Sequence, residues 1–329
     1  MSITTGVTQD HLHRSEVWSA NIKEVLEDSL SGMGYVNWLT DFPDGDAFNI
    51  PSIGEATVRD YQEDTAIVYD SLDTGEFNFS ITEYKSAATY ITKKARQDAY
   101  YAARLEAKFV PSQTRALEEV LESDIWDLAG TGGAQGGGQT VGGANTINGA
   151  DHRIFADATS GANNSAVKAA DFAQALFALK KANVPDASLV AIVDPNVEAT
   201  INQLITITGS TVSQNQRWES IVETGVANGP KFVFNLYGFD VYTSNYLAKS
   251  TTAESTVSNP VTNVLFSAAD REILPFVGAW RQMPEVESEY NKDKQREEYL
   301  VTSRYGLKVY RPENLVTIIS DGTTNVFTA

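Results

Sequence analysis

The sequence predicts an α+β fold, and three observations carry that reading. Apolar residues recur at helical spacing near the N-terminus and again between residues 95 and 128, long stretches rich in Ile, Val, Thr, Phe and Tyr precede that second region, and residues 262–329 read almost wholly as strand. The chain has 329 residues, 42% of them hydrophobic, enough to bury a sizeable core and by length to form about two domains.

From Ser15 the positions Trp18, Ile22, Val25, Leu26 and Leu30 lie on one helical face, with Glu16 in the first turn and Gly32 as a stop. Gly34, Pro43 and Gly45 then leave an irregular connector to about Asp46. This amphipathic helix has no partner nearby in sequence, so its apolar face packs back on its own domain or docks on another subunit. Phe48–Tyr61 and Glu76–Thr92 predict two long strands of an extended hairpin. Its tip, Gln62 to Asp73, is polar apart from the short insert Ala66–Tyr69. A two-stranded hairpin is marginal alone in water, which leaves two readings, a surface loop or an arm lying on a neighbour.

Ala95–Phe109 reads as helix until Pro111 removes a donor and interrupts it. A second helix is predicted over Ser112–Leu128, with Leu117, Leu121, Ile125 and Leu128 on one face and Glu118, Glu119, Glu122 and Asp127 on the other, which is solvated or faces the interior of a container. Nine glycines fall between Gly130 and Gly149. They do not make a phosphate loop, because no Gly-x-x-x-x-Gly-Lys-Ser/Thr occurs and no lysine lies between Lys108 and Lys168, so the stretch reads as a flexible connector. Beyond it comes a helix over Val167–Ala182, a buried strand over Ser188–Val193, and a helix through Leu204 that Asp194 caps and Pro195 opens. Lys231–Tyr237 and Phe239–Thr243 predict strands joined through Gly238, followed by a Thr/Ser-rich loop, Ser250–Ser258. The remaining strands are Asn263–Phe266, Glu285–Tyr290, Glu298–Tyr305, Leu307–Tyr310 and Leu315–Ile319, with Asn291–Arg296 a charged turn.

Charge narrows the function. Asp and Glu total 43 against 25 Lys and Arg, a net charge of -18, so the chain is repelled by phosphate and is not built for general nucleic-acid binding. Cysteine is absent, which excludes disulfides, thiolate zinc sites and thiol nucleophiles. No apolar run exceeds the length of Leu189–Val193, far short of the ~20 residues of a membrane helix, and the N-terminus has no secretory signal. Of the three histidines, His11 and His13 read as a surface pair. His152 lies in a polar stretch after the glycine-rich connector with no nucleophile turn to serve. Glu285, Glu287 and Glu289 alternate as a charged solvent face. No catalytic, cofactor-binding or metal-ligating residue is assigned.

Particular strings carry a resemblance: Arg59-Asp60-Tyr61 with Ile67-Val68-Tyr69-Asp70, the helix, Asn-Val-Pro, strand and Asp-Pro run of Leu176 to Pro195, Phe266 to Asp270, and Tyr305 to Glu313. In this order they resemble the Hong Kong 97 type major capsid protein of tailed phages over almost the whole chain. The resemblance implies an N-terminal arm (1–45), an extended hairpin or E-loop (46–92), a peripheral domain with a spine helix (93–144), an axial domain (145–261) and peripheral return strands (262–329). It implies a virion shell protein made in the host cytoplasm, without enzymatic activity, that assembles with itself in hexamers and pentamers. Its other partners would be a portal protein at one vertex and packaged DNA held without sequence-specific contact. Because no scaffolding extension precedes the arm, a separate scaffolding protein is expected. Subunit contacts are expected at Trp18, Ile22 and Leu26 of the arm and at Tyr61, Glu63, Asp64, Tyr69 and Asp70 of the hairpin. A shell protein of a cellular nanocompartment with the same fold, and a cytosolic α+β hydrolase, are the alternative readings.

Overall fold

The computed structural model describes residues 30–39, 47–53, 58–60, 63–64, 66, 74–98, 102–130, 145–156, 166–200, 232–250 and 257–323. The predicted Trp18 helix, most of the glycine-rich connector and most of the hairpin tip lie outside them.

The chain enters through a 3-10 turn at Gly32–Tyr35 and forms β1 (Val36–Leu39). A ribbon follows, β2 (Ala47–Ile53) antiparallel to β3 (Thr74–Ser80), with Ala47 opposite Ser80 and Ile53 opposite Thr74. The predicted strand 76–92 is broken. Ile81 and Thr82 separate β3 from β4 (Glu83–Thr92), which pairs with a late strand, Arg296–Tyr305. The reason is burial. One face of β4 carries Lys85, Ala87, Thr89 and Ile91, half-buried, and this alternation sets its register on the late strand.

Helix α1 (Lys93–Asp98) leads to α2 (Ala102–Asp127), which runs unbroken for 26 residues, roughly 39 Å at 1.5 Å per residue. The expected interruption at Pro111 does not occur, because the packed turns beyond it hold the helix through the lost hydrogen bond. Leu117, Leu121, Ile125 and Leu128 are buried on one stripe as expected. Glu122 is the exception on the predicted solvated face, for it is fully buried.

After a two-residue ladder of β5 (Thr146–Ile147) and β6 (Ala150–Asp151) come β7 (Arg153–Phe155), α3 (Ala169–Lys181), β8 (Leu189–Val193) and helix α4, which starts at Pro195. Asp194 caps α4 by accepting the Asn196 amide at 3.1 Å. β9 (Phe232–Leu236) turns through Tyr237 (φ 51°) and Gly238 (φ 87°) into β10 (Phe239–Thr243), the left-handed pair that a two-residue hairpin requires. β11 (Pro260–Ser267), β12 (Phe276–Asn291), β13 (Arg296–Val309) and β14 (Val316–Asp321) complete the chain. β12 begins nine residues before the predicted Glu285, and β13 runs through Gly306 where two strands were expected.

The strands form a six-stranded sheet, β7-β14-β11-β8-β10-β9, and a four-stranded sheet, β1-β12-β13-β4. The six-stranded sheet thus draws β14 and most of β11 from beyond residue 261 alongside β8 and β10 from before it. One core lies between α3 and this sheet, with Phe172, Leu179, Ala191, Val241 and Ile318 fully buried. A second core joins the C-terminal half of α2 to both sheets through Trp126, Phe266, Phe276 and Tyr305. His152, expected in a mobile polar stretch, is buried instead. Its Nδ1 lies 3.1 Å from the Ala150 carbonyl, and its own carbonyl accepts the Thr317 amide, so the backbone pairing of β14 carries it inward. Among the described residues no helix is long and apolar enough to cross a membrane and no cluster could hold a metal ion.

Candidate intersubunit surface

Three parts of the chain reach beyond the two cores. The first is the β2–β3 ribbon. Its root is fixed: Phe79 and Ile81 are buried against Val277 and Ala279, and the Phe77 ring meets Tyr310 edge-on at 5.1 Å. Lys308 lies over the Phe77 ring at 4.9 Å and donates to the Asn78 carbonyl at 2.7 Å. Gly306 makes this seating possible, since a Cβ there would stand 2.7 Å from the Ser80 carbonyl oxygen and 3.2 Å from the Phe79 ring. Beyond the root the ribbon leaves the core. Seven paired residues span roughly 23 Å at 3.3 Å each. Asn49, Pro51, Glu76 and Asn78 are exposed, and farther out Val58 keeps 94% of its surface in solvent.

The second is the point where the N-terminal segment joins the body. The Glu122 carboxylate, inside α2, accepts the Gly32 amide at 2.7 and 2.9 Å, the Ser31 amide at 3.1 Å and the Trp126 indole N–H at 2.8 Å. A buried carboxylate is costly unless its lone pairs are filled, and these donors fill them. Glu122 therefore pins residues 31 and 32 to the C-terminal part of α2.

The third is the far half of the four-stranded sheet. Among the described residues β1 pairs with Phe276–Ala279, and no strand pairs with that flank of β12 beyond Ala279 or with the outer flank of β4. α2 covers one face near Tyr299, Val301 and Tyr305. On the other face Tyr84, Ser86, Ala88 and Tyr90 are exposed, and residues 283–290 of β12 are exposed on both faces. At the near end Tyr305 donates to Asp124 Oδ2 at 2.6 Å, and Lys85 bridges Glu83 at 2.8 Å and Asp124 at 3.2 Å. Burial, then the Asp124 carboxylate, raises the Tyr305 phenol above its ordinary range. At the far end Arg296 Nε donates to Glu298 at 2.5 Å, and its guanidinium lies 4.3 Å from the Tyr90 ring centre. The Arg296 hydrogen bond holds the Glu298 carboxyl below the usual carboxylate range.

Of the residues expected to touch a neighbour, Glu63 and Asp64 are described: both are exposed, in a turn where Asp64 has φ 68°. Trp18, Ile22, Leu26, Tyr61, Tyr69 and Asp70 lie outside the described residues. Sequence reasoning missed Glu122, Gly306 and the root contacts of Phe77. The signal for Glu122 was a tryptophan one turn later at i+4, beside the apolar stripe.

A family model described as phage capsid protein matches residues 55–318. No curated protein sequence matches. Among solved structures, a chain from Mycobacterium phage Che8 is 19% identical with a TM-score of 0.65, covering 93% of this chain and 96% of that one. The capsid of cyanophage Pam1 gives 17% identity and a TM-score of 0.68 over 96% and 98% of the two chains. The capsid of cyanophage P-SCSP1u gives 15% and 0.67 over 96% and 94%. At these identities the likeness is one of fold.

Proposed function

The chain belongs to the phage capsid protein family, as a major capsid protein of the Hong Kong 97 type fold, and from that premise we propose that it assembles as hexamers and pentamers into the icosahedral shell around the double-stranded DNA of a tailed phage. The observation that carries this reading is the ribbon: its root is seated at Gly306 and its outer length is exposed on the chain's own side. An exposed two-stranded ribbon gains stability by lying on something, and in a shell that something is another copy.

In this reading residues 1–45 are the arm, 46–92 the E-loop, 93–144 and 262–329 the peripheral domain with α2 as its spine, and 145–261 the axial domain. The arm face of Trp18, Ile22 and Leu26 and the hairpin residues Tyr61, Glu63, Asp64, Tyr69 and Asp70 make the subunit contacts. The protein is made in the host cytoplasm and works with a separate scaffolding protein during assembly and a portal protein at one vertex. It performs no catalysis. A net charge of -18 lets packaged DNA slide past without sequence-specific contact.

Electron microscopy of the full chain, expressed alone and with its scaffolding partner, tests the proposal. Closed shells of five- and six-membered clusters are expected. A monomer or dimer under every assembly condition, scaffold included, overturns it.

A further inference from the structure

The short ladder of β5 and β6 turns through Asn148 and Gly149, with Ile147 opposite Ala150. Both turn residues lie in the left-handed region, Asn148 at φ 50° and Gly149 at φ 77°, the pair that a two-residue hairpin selects. Both are exposed, and a Cβ on Gly149 would meet no atom within 4 Å, so solvent reaches the bond between them. The Asn148 side chain also has a task outside its own turn. Its Nδ2 donates to the Lys181 carbonyl at 3.3 Å, in the last turn of α3, where carbonyls lack partners from the helix itself. The turn is thus tied to the negative end of α3 across 33 residues of sequence.

Asn followed by Gly is also the pair in which a backbone nitrogen most readily attacks the preceding side chain, because glycine has no Cβ to hinder the approach. We propose that Asn148 is a self-modification site, converting to aspartate and isoaspartate with water as the only co-reactant. The Gly149 nitrogen gives its proton to a solvent base and bonds to Asn148 Cγ. The Cγ–Nδ2 bond then breaks, and the amide nitrogen leaves as ammonia with a proton taken from solvent, closing a succinimide ring. Water opens that ring at either carbonyl. Breaking the new N–Cγ bond leaves aspartate in an ordinary backbone, and breaking the original peptide bond leaves isoaspartate, with the chain running through Cγ. Nothing is oxidised or reduced: an amide and water become an acid and ammonia.

Neither product suits the place where it forms. A carboxylate at position 148 cannot donate to the Lys181 carbonyl, and it faces the negative end of α3. The charges around it are mixed. Asp151 of β6 accepts from the Thr146 hydroxyl at 2.8 Å, Lys180 pairs with Asp186 at 2.8 Å, and Lys181 is the other cation of that last turn. Isoaspartate adds a backbone carbon to a turn whose register holds two residues and no more. β6 runs through His152 into β7, which lies at the end of the six-stranded sheet beside β14, so modification loosens that margin of the sheet.

The full chain incubated in mildly alkaline buffer made with heavy-oxygen water, beside the same chain in denaturant, tests this by peptide mass mapping. An exposed turn opens at little cost in free energy, so conversion at Asn148 in the folded chain should stay within about tenfold of its rate in denaturant. Each product should carry heavy oxygen. Conversion that is absent from the folded chain, or slowed in step with global unfolding, overturns the site, and so does product that takes up no heavy oxygen. Asn148→Gly, which keeps a turn-forming pair but has no amide to react, should show no mass change in this peptide, and a change there would assign the chemistry elsewhere. Melting reads the consequence. Asn148→Asp also keeps a good turn pair and should melt below the parent, and the parent should melt lower as its converted fraction grows. Melting temperatures equal to that of the fresh parent in both cases overturn the anchoring role of the Asn148 amide.

Discussion

The six-stranded sheet and the far half of the four-stranded one are both regular β-structure, yet they are built on opposite terms. In the first, β8 and β11 are buried at every position and β14 at five of its six. Continuously buried strands of this kind are covered on both faces by their own chain. In the second, residues 283–290 of β12 are exposed on both faces and, among the described residues, neither outer flank is paired. The lesson is one of division: one region closes on itself and sets the stability of the subunit, and the other is left for a neighbour to complete. Mutations in the two should therefore separate stability from assembly.

The largest stability effect belongs to the region that closes on itself. Phe266 is fully buried, edge-on to Tyr35 at 5.1 Å and near Phe276 at 6.5 Å. Phe266→Ala should cost about 3–5 kcal/mol, read from the denaturant midpoint. Met283→Ala, at a side chain 69% exposed, should stay within about 0.5 kcal/mol. Equal losses would erase the comparison.

Glu122→Ala tests the junction between the body and the N-terminal segment. It strands the Ser31 and Gly32 amides and the Trp126 indole, each otherwise filled by one carboxylate. A loss of about 3 kcal/mol is expected, and protease should then cut earlier near residues 30–35 than in the parent. A cut site unchanged in rate would show that the carboxylate does not hold this turn. Gly306→Ala should cost less, about 1–3 kcal/mol, because its Cβ would push into the ribbon root and move it.

The interior faces of the helices were legible in the sequence because burial imposes a period, and Leu117, Leu121, Ile125 and Leu128 obey it. The failures lie where punctuation residues have a tertiary purpose. The strand expected from Glu285 begins at Phe276, because Pro284 sits in the irregular register between Gln282 and Glu285 and β12 continues through it. Gly306 likewise read as a break and is instead the seat of the ribbon. Glu122 read as solvated because its period places it beside the apolar stripe, and only the arrival of residues 31 and 32 from 90 positions away makes burial affordable. For the subunit surface, the hairpin and its polar tip were legible as a segment that could not fold alone, whereas the split between β3 and β4 was not, since alternation continues across Ile81 and only the competing partner β13 decides it.

Shortening the ribbon sharpens the comparison from the assembly side. With Ile53 opposite Thr74, an Asn-Gly turn can replace residues 54–73 without altering the register. The root contacts of Phe77 and Phe79 remain, so the melting temperature should change little while shell formation is lost. A collapsed melt would put the outer hairpin in the core, and unchanged shells would make it a surface loop.

The smallest effect distinguishes the two ends of the four-stranded sheet by the direction of pH. Tyr305, at the covered end, has a phenol raised by burial and by its bond to Asp124, so its contribution is present below pH 10.0, the ordinary value, and is lost as alkali ionises the unfolded chain more readily than the folded one. Glu298, at the open end, has a carboxyl lowered by Arg296. Its contribution is present above pH 4.5 and is lost as acid carries the pH down through the depressed folded value. Melts of Tyr305→Phe and Glu298→Gln beside the parent, from pH 3 to pH 11, should therefore diverge from it in different ways. The gap between Glu298→Gln and the parent should close in acid, and the gap between Tyr305→Phe and the parent should change on the alkaline side. The Glu298 effect should also fade in 1 M salt, because that pair is half-buried and screened, while the bond of the buried Tyr305 should fade less. Two gaps that respond alike to acid and to salt would mean that solvent reaches both ends of the sheet equally.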